Sequence, residues 1–113
     1  MIAQITAGLL FNLTDLITGI ISAIKNKEVK SSKLRDGVFK KVGFLICYFL
    51  AFLIDYYGSR VGFNLGFNVL PVLITYTCTT EAVSIIENVH KINPDLLPEK
   101  LLKIFAIKNG RGD

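Results

Sequence analysis

The chain is poor in the residues that most chemistry needs: 113 residues contain no tryptophan, one histidine, two cysteines and three prolines. One histidine and two cysteines fit no metal-ligand spacing, so neither a metal nor a cofactor is expected. Gly58, Gly62 and Gly66 are spaced by four with no Lys-Ser/Thr after them, which excludes a phosphate loop. No nucleophile elbow is present and His90 has no evident partner, so an enzyme is not expected. Charge is scarce too, at 19% against roughly a quarter in soluble domains. With 51% apolar residues the chain is not a disordered polyampholyte, and nine glycines without a period of three exclude collagen. The length holds one domain and leaves no room for a doubly wound nucleotide-binding fold or a barrel enzyme.

What the sequence does have is long stretches without charge. From Met1 to Ile24 the one ionisable side chain is Asp15; Val42 to Ile54 has none, and neither does Val61 to Thr80. The last run is 20 residues long, enough to cross a hydrocarbon core of about 30 Å. These runs predict an all-α membrane protein with three transmembrane helices, near 2–24, 42–58 and 62–86, inside a domain covering 1–92. Core helices of a small soluble bundle would carry polar outer faces, and Phe44 to Ile54 has almost none. Cys47 and Cys78 fall within spans, where free thiols act as small apolar residues. The first run lacks a basic leader and a small-x-small cleavage site, so a cleaved signal peptide is not expected.

The basic residues predict the orientation. Lys25, Lys27, Lys30, Lys33, Arg35, Lys40 and Lys41 lie between the first two spans, against Glu28 and Asp36. Lys91, Lys100, Lys103, Lys108 and Arg111 follow the third span, while the second connection has Arg60 alone. Basic residues close to spans stay cytoplasmic, so the N-terminus is expected outside and the C-terminus inside a bacterial cytoplasmic membrane. The net charge of +4 is then topological and does not indicate nucleic-acid binding. In the basic linker, Ser31 or Ser32 is expected to cap a short helix leading towards Gly37. Tyr56 to Asn68 predicts an external turn with its tyrosines at the interface, and Pro71 predicts a kink in the third span. The tail, 93–113, shows an amphipathic pattern from Pro98 to Ile107, with Leu101, Leu102 and Phe105 on one side. It is expected to form a short cytoplasmic helix on the anionic leaflet or against a partner. The terminal Arg111-Gly112-Asp113 is read as chance.

Polar residues inside spans are expensive and point to function. Asn12, Asp15, Thr18 and Ser22, with Gly8, Gly19 and Ala23, form a polar, small-residue face on the first span. Gly43, Cys47, Ala51 and Asp55 recur every fourth residue on the second, a spacing that admits close helix packing. Thr77, Glu81, Ser84 and Asn88 line up on the third, with Glu87 alongside. In a monomer these faces would turn towards one another; in an oligomer they would line water. Asp15, Asp55, Glu81 and Glu87 have no basic residue at matching depth except Arg60, and are expected to be either protonated at rest or hydrated in an open state.

Specific residues also carry a family resemblance. Asp15-Leu-Ile-Thr18-Gly19, then Ala23, Ser31/Ser32, Arg35, Gly37 and Lys40-Lys41, resemble the ordered signature of the toxin secretion/phage lysis holins of Gram-positive bacteria and their phages. Asp55 and the run Glu81-Ala-Val-Ser84-Ile-Ile-Glu87-Asn88 fit the same pattern, so the match spans roughly 12–98. The resemblance implies a homo-oligomer that opens timed lesions in the host membrane. Through these an endolysin reaches the wall or, in some relatives, a large toxin leaves the cell; an antiholin partner is compatible with it. The alternatives are a non-lethal channel exporting a large protein toxin or hydrolase, an ion-coupled small transporter subunit using Glu81, and a structural subunit whose polar faces are glue.

Overall fold

A computed structural model describes residues 1–104, and these form four helices joined by short connections, with no strand. Helix α1 covers Ile2–Lys25, α2 Ser31–Tyr57, α3 Val69–Ile92 and α4 Glu99–Ile104. The first three are long and apolar enough to cross a membrane. At 1.5 Å per residue, the 24 residues of α1 and of α3 reach about 36 Å, longer than the hydrocarbon core.

The helix boundaries differ from the expected spans at the start of α2 and at both ends of α3, which runs to Ile92 and not 86. The basic segment is not a loop with its own short helix: α2 runs unbroken from Ser31 through the second span, and only Asn26–Lys30 connects it to α1. The turn is made by Lys27 at φ 56 and by Lys30 in extended conformation, with Ser31 already helical. Leucine, lysine and arginine propagate a helix well, and the single Gly37 does not stop it. The third span starts at Val69 and not near 62. A 3-10 turn over Gly58–Val61 is followed by Gly62 and Gly66 at φ 86 and 79, conformations that side-chain-bearing residues rarely adopt. Pro71 then lies in the first turn of α3, where its missing N–H has no intrahelical acceptor to lose. The expected kink therefore has no cause.

Contacts give the packing order. Gly8 lies against Ile74, Asn12 meets Glu81 and Asp15 meets Asn88, so α1 and α3 run parallel. Lys25 at the end of α1 donates to the carbonyl of Ile92 at the end of α3. Helix α2 runs antiparallel to both, with Lys41 near Glu81 and Asp55 near Val69. Helices α1 and α3 share the most extensive contact, and α1 and α2 the least. The apolar core is small: Tyr48, Ala51, Leu70 and Ile74, with Ile5, Phe44 and Leu73 packed around it. Large apolar side chains such as Leu10, Leu13, Ile46, Phe49, Val72 and Tyr76 stay exposed on the outer faces. In water that surface would be unfavourable; in a bilayer it is the lipid-facing coat.

At the loop end of α2, Phe52 stacks on Tyr56 with centroids 5.5 Å apart, and Arg60 lies 5.3 Å from the Tyr56 ring. Arg60 thus serves an aromatic interfacial cluster and does not reach the acids of the bundle. Helix α4 has six residues and one buried side chain, Leu102. The expected Phe105, Lys108 and Arg111-Gly112-Asp113 lie outside the described residues.

Candidate functional site

The polar faces of the three long helices turn inward and meet. Tyr48 on α2 donates its hydroxyl to Asn12 Oδ1 on α1 at 2.7 Å, and Asn12 Nδ2 donates to Glu81 Oε2 on α3 at 2.9 Å. Glu81 is fully buried and Asn12 is 6% exposed, so these contacts lie inside the bundle. The same Glu81 oxygen accepts from Lys41 Nζ at 2.9 Å, and Lys41 also donates to Asp15 Oδ2 at 2.6 Å. Asp15 is held from its other side by Asn88, whose Nδ2 donates to Asp15 Oδ1 and to Thr18 Oγ1, each at 3.1 Å. One continuous chain of hydrogen bonds therefore links α1, α2 and α3.

Lys41 changes the expected electrostatics. The acids Asp15 and Glu81 do have a basic residue at their depth, and it is not Arg60. Lys41 comes from the segment expected to be a loop; because α2 is continuous there, its side chain projects into the bundle while Lys40 turns to the Phe44 ring, 5.9 Å away. Two carboxyl groups share one ammonium, whose side chain is 15% exposed. Pairing at such a site offsets desolvation that neither partner tolerates alone.

The pairing is incomplete. Glu81 Oε1 is buried and has no hydrogen-bond partner among the described residues. A buried oxygen left without a partner costs about 1–3 kcal/mol. The closed bundle thus holds an unsatisfied carboxyl oxygen on the most buried face of α3.

The remaining expected residues have separate places. Asp55 lies outside the network: Oδ1 and Oδ2 accept from the backbone N–H of Val69 and Leu70 at 2.6 and 2.8 Å, capping the start of α3. Carboxylates are favoured there by the orphan N–H groups and the helix dipole. Ser22 is buried beside Asn26, which donates to its carbonyl at 2.9 Å. Ser84 is half-buried and Glu87 exposed. Of the expected packing residues, Ala51 is buried in the core, Ala23 is half-buried, and a Cβ on Gly19 would lie 3.5 Å from Asn88 Nδ2. Gly43 has no such neighbour within 4 Å and Cys47 is exposed, so neither packs within the chain. The face of α2 that does pack reads Lys41, Phe44, Tyr48, Ala51 and Asp55. Lys41, Phe44 and Tyr48 are the members that sequence reasoning missed. Alternating steps of three and four residues back from Ala51 are the signal that marks them.

Among the described residues no cluster of His, Cys, Asp or Glu is arranged to hold a metal. The arrangement is a polar seam inside a bundle whose outer faces are apolar. No curated protein and no solved structure matches the chain. A profile of the bacteriophage holin family, however, matches residues 2–109, nearly its whole length, with all three long helices and the polar seam inside the match. A multi-pass membrane architecture and a full-length family match agree, and this chain belongs to the bacteriophage holin family.

Proposed function

We propose that the protein is a holin that assembles in the bacterial cytoplasmic membrane, N-terminus outside, and opens timed lesions through which an endolysin reaches the cell wall. The observation that carries this reading is the buried seam from Tyr48 to Thr18, closed by Lys41 between Asp15 and Glu81. In the single chain the seam is hidden from lipid because the three helices cover it. Copies gathered at high density offer an alternative: the same polar faces turned to a shared aqueous lumen. There Asp15, Glu81 and Thr77 gain water, including the Glu81 oxygen that lacks a partner in the closed bundle. The closed form is favoured by pairing, the open form by hydration, and the balance shifts with the number of copies.

Gly43 and Cys47 supply a face for the association. They lie on α2 away from its packed side and leave its backbone approachable by another copy. The basic segment of Lys25, Lys27, Lys30, Lys33 and Arg35 keeps its end of the bundle cytoplasmic.

Inducible expression in a bacterial host tests the reading. Membrane potential, cell density and release of a co-expressed cytoplasmic endolysin are followed together. Abrupt depolarisation after a lag, with lysis only when the endolysin is present, is the expected result. Steady growth with an intact potential overturns it.

A further inference from the structure

Beside the seam, the α1 and α2 helices diverge and leave a cleft of about 360 Å³ at the end of the bundle where α1 stops and α2 begins. Four lysines line it, Lys30, Lys33, Lys41 and Lys91, against the carboxyl groups of Asp15 and Glu28. Lys41 is engaged by Asp15 and Glu81, whereas Lys30, Lys33 and Lys91 enter no ion pair among the described residues. Helix α2 starts here without a side-chain cap, so the positive end of a 27-residue helix borders the same space. Leu16 and Ile20 of α1 and Leu34 of α2 add an apolar wall to the lining.

A cationic rim beside an apolar wall, at the end of a membrane-crossing bundle, has the chemistry of a lipid site. We propose that this cleft binds the phosphodiester headgroup of an anionic phospholipid through Lys30, Lys33 and Lys91, with Leu16, Ile20 and Leu34 against the first methylenes of its acyl chain. A free phosphate satisfies the lysines but leaves that wall uncovered. The cleft opens between the helix pair with the least mutual contact, α1 and α2. A lipid seated there bridges them and steadies Lys41 from the outside. The inference rests on the chain being inserted in a bilayer, and not on its forming lesions.

Native mass spectrometry of the full chain in detergent tests it, with dioleoylphosphatidylglycerol, dioleoylphosphatidylcholine or inorganic phosphate added. The wild type is expected to retain phosphatidylglycerol in preference to phosphatidylcholine. The triple variant K30Q/K33Q/K91Q is expected to retain it at least about tenfold more weakly, while K40Q/K100Q/K103Q, with the same loss of charge elsewhere, keeps it. Equal retention of the two lipids overturns the proposal, as does equal loss in both triple variants or full displacement by inorganic phosphate. Circular dichroism checks that the variants stay helical. Should K30Q/K33Q/K91Q lose helix, K33Q and K91Q singly are expected to weaken retention about threefold each, and unchanged retention in both overturns the site. A chain that lyses cells without lipid preference defeats this inference alone; one that selects phosphatidylglycerol but never depolarises cells defeats the lytic reading alone.

Discussion

Lys41 places its ammonium 2.9 Å from Glu81 Oε2, so a residue of the basic segment next to the first connection neutralises the most buried acid of the third membrane helix. That contact joins the topology signal to the polar seam. The charges that orient the chain and the charges that close the bundle overlap in one side chain.

The cap at Asp55 gives a first expectation about stability. Its carboxylate accepts from two backbone N–H groups at the start of α3, and D55A leaves both without their acceptor. The loss is about 1–2 kcal/mol. Thermal unfolding followed by circular dichroism in detergent is expected to show a lower midpoint for D55A, with D55N between it and the wild type. An unchanged midpoint in D55A contradicts the capping role.

Two glycines are expected to respond in opposite ways. A Cβ on Gly8 would stand 2.8 Å from the Tyr48 hydroxyl and 3.0 Å from Ile74 Cδ1, so G8A pushes α1 off the contact that orients Asn12. Overpacking of this kind costs about 1–3 kcal/mol. At Gly43 nothing lies within 4 Å, and G43A removes the flexibility of a helical glycine, a gain of up to about 1 kcal/mol within the chain. The measurements are the unfolding midpoint and the oligomer distribution by crosslinking in membranes. G8A lowers the midpoint; G43A leaves or raises it while weakening self-association.

Cys47 reports on the same interface. It is exposed, whereas Cys78 is half-buried beside the core. Mild oxidation of membranes carrying the wild type is expected to give disulfide-linked dimers that vanish in C47S and persist in C78S. Dimers that depend on Cys78 would place the interface elsewhere.

Much of this architecture is legible in the sequence, for physical reasons. A membrane helix must keep charge scarce over about 20 residues, and three charge-poor apolar stretches are visible without any structure. The inward convergence of Asn12, Asp15, Glu81 and Asn88 follows from helical spacing and the cost of showing them to lipid. The packed face of α2 is harder. Counting back by fours from Asp55 gives Ala51, Cys47 and Gly43, but each step of four overshoots a helical turn by about 40°, so the stripe drifts off the interface. Alternating steps of four and three give Ala51, Tyr48, Phe44 and Lys41, the face that packs. Lys41 was also hidden by its neighbours: within a run of basic residues it reads as a solvated charge. Only the unbroken helix from Ser31 reveals that it faces inward. The cap at Asp55 was equally out of reach, since it depends on where α3 begins.

The central claim is that Lys41 holds the polar seam closed and that the acids beneath it drive opening. Onset of lysis after induction, at matched membrane levels and with endolysin present, tests it in K41Q and E81L against the wild type. K41Q strips both acids of their counter-charge and weakens the closed bundle, by no more than the roughly 3–5 kcal/mol of a fully buried pair, because the lysine side chain is 15% exposed. E81L removes the buried acid whose hydration favours opening. The account predicts earlier onset in K41Q and delayed or abolished onset in E81L. Unchanged timing in both, or the reverse order, would contradict it.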